Sequence, residues 1–130
     1  MKRLFAPLVI SAALVGTVHA ANWQNLAKGD HVRLLVDMDS MKFDGAGYVR
    51  AWVKWEYDSP QSWSENIQYK TKVVQYNVDC KGGRFDNPAG YIYRSDGTVA
   101  TSWDLPSPMK SIVPDSVADV ITSGLCAGSR

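Results

Sequence analysis

The sequence predicts an α+β domain, built as a meandering antiparallel sheet of five to six strands with one C-terminal helix. Two observations lead to this class. Short apolar or alternating stretches recur along the chain, and turn signals rich in Gly, Pro, Asn, Asp and Ser separate them. The stretch from Ser116 to Cys126 has the apolar spacing of a helix instead, and such a helix can cover one face of the sheet.

Residues 1–20 have the pattern of a secretory signal peptide, and residues 21–130 are expected to form a single domain. Two basic residues precede an apolar run from Leu4 to Val18, and compact residues precede the expected cleavage after Ala20. The run is shorter than the roughly 20 residues that span a bilayer, and no cysteine lies near the cleavage point. The sequence therefore predicts an exported protein without a transmembrane or lipid anchor, which is periplasmic, secreted or associated with the outer surface.

The charge balance argues against nucleic acid or an anionic membrane as the partner. The chain contains 14 Lys and Arg against 13 Asp and Glu, a formal charge of +1. Removal of Lys2 and Arg3 with the signal peptide leaves 12 against 13, which makes the formal charge −1. Such a balance lacks the basic excess that binds phosphate backbones.

The first predicted strand runs from His31 to Met38. Its continuous apolar run from Leu34 to Val36 indicates coverage on both faces for part of its length. The preceding residues 21–30 are expected to be a lead-in segment, with Trp23 packed on the edge of the domain. Turn signals follow in residues 39–47.

The stretch from Tyr48 to Tyr57 is the clearest strand because its apolar residues alternate. The alternating residues of the predicted inner face are Val49, Ala51, Val53, Trp55 and Tyr57. The opposite face is polar except for Tyr48 and Trp52. Residues 58–66 are expected to form a polar loop that contains Trp63.

Three further strands are predicted in the second half of the chain. The residues from Ile67 to Cys80 form one strand, whose inner face carries Val74, Tyr76, Val78 and Cys80. The residues from Arg84 to Arg94 form another strand, interrupted at Asn87-Pro88 because proline cannot donate to a ladder. A turn at residues 95–97 leads into the strand from Thr98 to Trp103 and completes a hairpin.

The helix is expected to begin at Ser116, which with Asp119 resembles a capping box. Gly124 is a natural stop signal. The apolar residues expected to share the face against the sheet are Val117, Val120, Ile121 and Leu125.

Cys80 and Cys126 are the only cysteines, and in an exported chain they most simply form one disulfide. This bond would join the last turn of the helix to the inner face of a middle strand. Two free thiols are one alternative, and a metal site with His31 as a further ligand is another.

The sequence gives no argument for catalysis, a metal site or a cofactor. His31 is the only histidine after residue 20, so no Ser/His/Asp triad can be assembled. Asp37, Asp39 and Asp44 do not have the spacing of an EF-hand loop and are interpreted as turn-forming carboxylates. Three further carboxylates could meet for glycoside chemistry, but nothing singles out Glu56, Asp58 and Glu65.

The feature with binding character is an aromatic and basic mixture predicted on the outer sheet face and the adjoining loop. It consists of Arg50, Trp52, Lys54, Trp63 and Tyr69. Trp, Tyr and Arg are the residue types that anchor protein interfaces. The alternative is that a neighbouring loop, or a second copy of the chain in a homodimer, simply covers Trp52.

Several segments together resemble the surface-adhesin E-like family of bacterial exported proteins. They are NWQNL (22–26), VDMDSM (36–41), GYVRAWVKWEY (47–57), YNVDC (76–80), YRSDGTV (93–99) and IVPDSVADVITSGLC (112–126). The resemblance implies a strongly bent antiparallel sheet with the helix held on its concave side by the disulfide. It also implies adhesion to host extracellular-matrix glycoproteins.

The leading hypothesis is therefore a non-enzymatic exported binding protein of the cell envelope that recognises a protein partner through its outer sheet face. The family's namesake is anchored to the surface by lipid, whereas this chain lacks a lipobox cysteine. The alternative hypothesis is consequently a soluble periplasmic inhibitor or regulator of an envelope enzyme.

Overall fold

The computed structural model describes residues 21–128, so the predicted signal peptide lies outside the described residues. They form one open antiparallel sheet of nine strands and a C-terminal helix, α1. The elements are β1 (Trp23–Lys28), β2 (Val32–Asp37), β3 (Lys42–Phe43), β4 (Tyr48–Ser64), β5 (Ile67–Asp79), β6 (Arg84–Asp86), β7 (Ala89–Tyr93), β8 (Val99–Asp104), β9 (Lys110–Ser111) and α1 (Val117–Ala127). The predicted α+β class is confirmed.

The long hairpin of β4 and β5 is the centre of the sheet. The strand order is β1-β2-β4-β5-β6-β9, while β3 pairs with the start of β4. Strand β7 pairs with the middle of β5, and β8 pairs with β7. The break between β6 and β7 falls at Asn87-Pro88, as predicted from the proline.

The alternating apolar side chains of β4 and β5 form much of the hydrophobic core. Val49, Ala51 and Val53 are buried on the inner face, as the period-two pattern predicts. Val74, Tyr76 and Val78 of β5 are buried beside them. Residues of α1 complete this core, so the helix covers part of the inner face.

The helix is rotated relative to the predicted apolar stripe. Ile121 and Leu125 are fully buried, but Val117 is 45% exposed and Val120 is 49% exposed. Ala118 and the buried Thr122 face the sheet instead of Val117 and Val120. These small side chains permit a close approach of the helix to the sheet. The Thr122 hydroxyl can be buried because it donates to the Ala118 carbonyl at 2.8 Å.

The helix ends differently from the prediction. Its start is as expected, since the Ser116 hydroxyl accepts from the Asp119 N–H at 3.1 Å. However, it continues through Gly124 to Ala127. Gly124 permits close packing instead, because a Cβ at this position would lie 2.5 Å from Leu26 Cδ1 of β1.

Two segments expected to be irregular are strands. The predicted lead-in contains β1, which pairs with β2 through an irregularity between Asn25 and Ala27. The predicted loop at residues 58–66 is mostly the distal part of β4. Its pairing with β5 shifts register between Glu56 and Gln61 and continues to Ser64. Both segments are extended because a neighbouring strand pairs with each of them. Their own sequences do not show this pairing.

Cys80 and Cys126 form the disulfide, with their Cα atoms 5.8 Å apart. The bond joins the residue that follows β5 to the last turn of α1. This confirms the predicted link between sheet and helix, and it excludes the alternatives of free thiols and a thiolate metal site.

The turn after β5 is organised by the carboxylate of Asp79. It accepts from the Gly82 N–H at 2.8 Å and lies 3.2 Å from Nη2 of Arg84. The Gly82 amide, followed by the Arg84 guanidinium, holds the pKa of Asp79 below its ordinary value.

We expect Asp79 to contribute stability that is lost in acid. Because its folded pKa is depressed, this stabilisation is present above the unfolded pKa of about 3.9 and disappears as the pH falls through the lower folded pKa. Asp79→Asn should therefore lower the urea midpoint at pH 6 and flatten its decline below about pH 4. Asp30→Asn, at an exposed position, is the control. An unchanged acid slope in Asp79→Asn would contradict the assignment.

Candidate functional site

The sheet face opposite α1 carries a continuous group of aromatic and basic side chains, which we call the outer patch. Three of its members alternate along β4, and the others come from β1 and β7. The members are Trp23, Arg50, Trp52, Lys54, Tyr91 and Tyr93. The register of β4, β5 and β7 brings the last two onto the same face as Trp52.

A row of rings crosses the middle of the outer patch. The centroids of Trp52 and Tyr91 are 5.9 Å apart, and those of Tyr91 and Tyr93 are 6.3 Å apart. Trp52 is half-buried, whereas Tyr91 is 41% exposed. Arg50 is exposed beside them and donates from Nε to Asn77 Oδ1 at 2.8 Å. The rings and the guanidinium are thus held in place yet accessible.

Lys54 connects this row to β1. Its ammonium lies 4.3 Å from the centroid of the Trp23 ring, a cation–π contact. It also lies 3.9 Å from Glu56, and Glu56 accepts from Nε of Arg33 at 3.1 Å. The carboxylate is therefore neutralised by two neighbours, and the outer patch keeps a positive character.

The structure places Trp63 and Tyr69 away from the outer patch. Trp63 is 47% exposed and stacks on Trp103 with centroids 5.9 Å apart, while Tyr69 is buried and packs edge-on against Trp63 and Tyr57. Trp103 packs against the inner core. The predicted binding set is thus split, with Arg50, Trp52 and Lys54 on the outer face and the other two in an inner aromatic cluster. The segment expected to be a loop around Trp63 is the distal part of β4, which pairs with β5 beyond a register shift.

Burial shifts the pKa of three titratable side chains on the inner side of the sheet. Burial, followed by the neighbouring Tyr69, raises the pKa of Tyr57 far above its ordinary value. Burial raises the pKa of Tyr76 to about 12. Burial also lowers the pKa of Lys72, whose ammonium lies 3.9 Å from the centroid of the Trp55 ring. The phenols of Tyr57 and Tyr76 therefore remain protonated at neutral pH.

Sequence reasoning missed Trp23, Tyr91 and Tyr93 as members of the outer patch. Tyr91 and Tyr93 are two residues apart, so their shared face was detectable. Their position beside Trp52 depends on β7 pairing with the distant β5 as well as with β8, its neighbour in sequence. Trp23 was assigned to an edge segment, and only the β1–β2 pairing brings it to Lys54.

Two of the three predicted turn carboxylates, Asp37 and Asp44, have that role. Asp37 accepts from the backbone N–H groups of Asn22 and Asp39, and Asp44 accepts from those of Ala46 and Tyr48. Among residues 21–128, no three His, Cys, Asp or Glu side chains converge on a possible metal position. No helix in that part of the chain has the length and hydrophobicity of a membrane span.

The chain matches the sequence model of one protein family and resembles a solved structure in its fold. The sequence model of the surface-adhesin protein E family matches residues 23–127. The crystal structure of protein E from non-typeable Haemophilus influenzae aligns with a TM-score of 0.59 at 15% sequence identity, covering 85% of this chain and 79% of that chain. At this identity the structural likeness concerns the fold. No curated protein matches the sequence.

Proposed function

The chain belongs to the surface-adhesin protein E family, and from this premise we propose that it is a non-enzymatic exported adhesin that binds host extracellular-matrix glycoproteins through the outer patch. The observation that carries the proposal is the accessible row of Trp52, Tyr91 and Tyr93 with basic residues beside it. The disulfide and helix occupy the other face, so this surface remains free for a partner.

The composition of the outer patch supports protein recognition. Trp, Tyr and Arg are enriched among the residues that contribute most to binding energy, because they combine large contact area with directed hydrogen bonds. Arg50 and Lys54 flank Trp52 along one strand and are oriented by Asn77 and Trp23. Such prior ordering lowers the entropic cost of binding.

The placement of the carboxylates supports a role without catalysis. Glu56 is engaged by Arg33 and Lys54, so it is not available as a general acid or base. His31, the single histidine after residue 20, is exposed on the connection between β1 and β2. Neither residue is part of an arrangement that activates a nucleophile.

We expect Trp52→Ala to weaken binding of the mature protein to immobilised matrix glycoproteins by about thirtyfold in Kd, since a central aromatic anchor contributes about 2 kcal/mol or more. Its melting temperature should change little, because Trp52 is outside the buried core. Surface plasmon resonance measures the Kd, with albumin as the reference surface.

Trp63→Ala is the matched control. It removes an equally large side chain from the inner cluster and should lower the melting temperature while leaving the Kd unchanged. Equal binding to albumin would refute adhesion. A change from dimer to monomer in Trp52→Ala, seen by light scattering, would assign the patch to a homodimer instead.

Localisation separates adhesion from the periplasmic alternative. An adhesin should be accessible to antibody and to protease on intact cells. If it is protected there, and a pull-down from periplasmic extract recovers one dominant enzyme, the inhibitor hypothesis would replace the adhesin proposal.

A further inference from the structure

Basic residues are concentrated in two open grooves on the outer face. One groove, of about 340 Å³, is lined by Lys42 and Arg50 together with Phe43 and Tyr48. The other, of about 590 Å³, is lined by Lys54, Lys70 and Arg94 together with Trp23, Tyr93 and the hydroxyl-bearing Thr71 and Ser95. Trp52 and Tyr91 lie on the same face as Arg50 and Lys54, so the grooves belong to one surface.

The acidic residues of this surface already have charged or hydrogen-bonding partners, whereas two of its lysines do not. Glu56 contacts Arg33 and Lys54, and Asp44 accepts two backbone N–H groups. Within the described part of the chain, Lys42 and Lys70 form neither an ion pair nor a side-chain hydrogen bond. The outer face therefore has a local positive excess, although the whole chain has a formal charge of only +1.

The larger groove combines three kinds of contact. Its ammonium and guanidinium groups suit carboxylates and sulfates. The rings of Trp23 and Tyr93 offer flat apolar surfaces of the kind that pack against the C–H faces of sugar rings. Thr71 and Ser95 supply hydroxyls that can donate to or accept from sugar hydroxyls.

We propose that the outer grooves bind an acidic polysaccharide chain, one that carries repeated sulfate or carboxylate groups on sugar rings. This inference rests on the proposed function, because it identifies the glycan of a matrix glycoprotein as the part that the adhesin recognises. Arg50 and Lys54 are four residues apart on β4, about 13 Å along a strand. A ligand that reaches both grooves is therefore a chain rather than a single sugar.

Two other polyanions fit less well. A nucleic acid carries a phosphate at every nucleotide and binds through a dense row of basic contacts, whereas the two grooves supply two and three basic residues. An acidic polypeptide would satisfy the basic groups but would not require exposed flat rings in the groove beside them. Both serve as competitors in the test.

The test measures binding of the mature protein to immobilised heparin by surface plasmon resonance. The double variant Lys42→Gln/Lys70→Gln removes one free charge from each groove and should raise the Kd about tenfold, with a weaker dependence on NaCl. Lys81→Gln/Lys110→Gln removes the same charge from positions outside both grooves and should leave the Kd unchanged. Dextran, a polysaccharide without sulfate or carboxylate groups, should bind at least tenfold more weakly than heparin.

The inference is overturned if both double variants lose affinity equally, if the neutral polysaccharide dextran binds as well as heparin, or if poly-glutamate or a single-stranded oligonucleotide competes as well as soluble heparin. Matrix glycoproteins tested before and after enzymatic removal of their glycans separate the two proposals. Undiminished binding after glycan removal contradicts the polysaccharide inference alone. Heparin binding without any glycoprotein binding contradicts the proposed function alone.

Discussion

Loss of the disulfide should lower the melting temperature by roughly 15–30 °C, as measured by circular dichroism on the double variant Cys80→Ala/Cys126→Ala. The bond spans a sequence separation of 46 residues. Closing a loop of that length in the unfolded chain corresponds to about 4 kcal/mol in the chain-entropy model. A domain of this size has a total stability of only about 5–15 kcal/mol, so the bond is a large fraction of it.

The effect should be strongest at α1. The helix has only 11 residues, too few to be stable alone in water, and half of its predicted apolar stripe is exposed. If the double variant does not fold, urea unfolding of the natural sequence with and without dithiothreitol gives the same comparison. An unchanged melt under reducing conditions, with both thiols alkylated in the native protein, would contradict the prediction.

Gly90→Ala is expected to destabilise the domain by about 2–3 kcal/mol, because its side chain would overpack the inner face. A Cβ at Gly90 would lie 2.2 Å from Cη2 of Trp103, its register partner on β8. The indole cannot move aside easily, since its Nε1 donates to the Asn87 carbonyl at 3.0 Å and its ring stacks on Trp63. Urea unfolding measures the change.

Gly45→Ala is the matched control for this substitution. A Cβ there would have no atom within 4 Å, so its stability should change by less than about 0.5 kcal/mol. In a Trp103→Val background, Gly90→Ala should cost much less, because the two positions compete for the same space. Additive costs in the double variant would show that the indole does not cause the effect.

The sequence allowed prediction of the elements whose pattern is local. Alternation along the first half of β4 identified the buried Val49, Ala51 and Val53, and Ser116 identified the start of α1. The proline at position 88 placed the break between β6 and β7. In each case the information lies in a few neighbouring residues, so the surrounding fold was not needed.

The remaining features depended on contacts between distant residues. The rotation of α1 follows from the small side chains Ala118 and Thr122 fitting the sheet better than the more hydrophobic Val117. The contact of Tyr69 with Trp63 depends on the distal part of β4 pairing with β5, which no local pattern marks. For the candidate site, Arg50, Trp52 and Lys54 were predictable from one strand, whereas Trp23 joined them only through the pairing of β1 with β2.

The disulfide also has a mechanical consequence if the chain is pulled, as the proposed adhesive function would require. A pull applied through the chain on both sides of the domain passes from Cys80 to Cys126 across one covalent bond. The disulfide therefore prevents the chain between the two cysteines from being stretched. Their 46-residue separation corresponds to about 150 Å of fully extended chain. The strands β6 to β9 and most of α1 lie in this bypassed loop and bear no load, whereas the strands β1 to β5 transmit the force. The bypassed loop therefore adds no length to the chain under load, even if those five strands unravel.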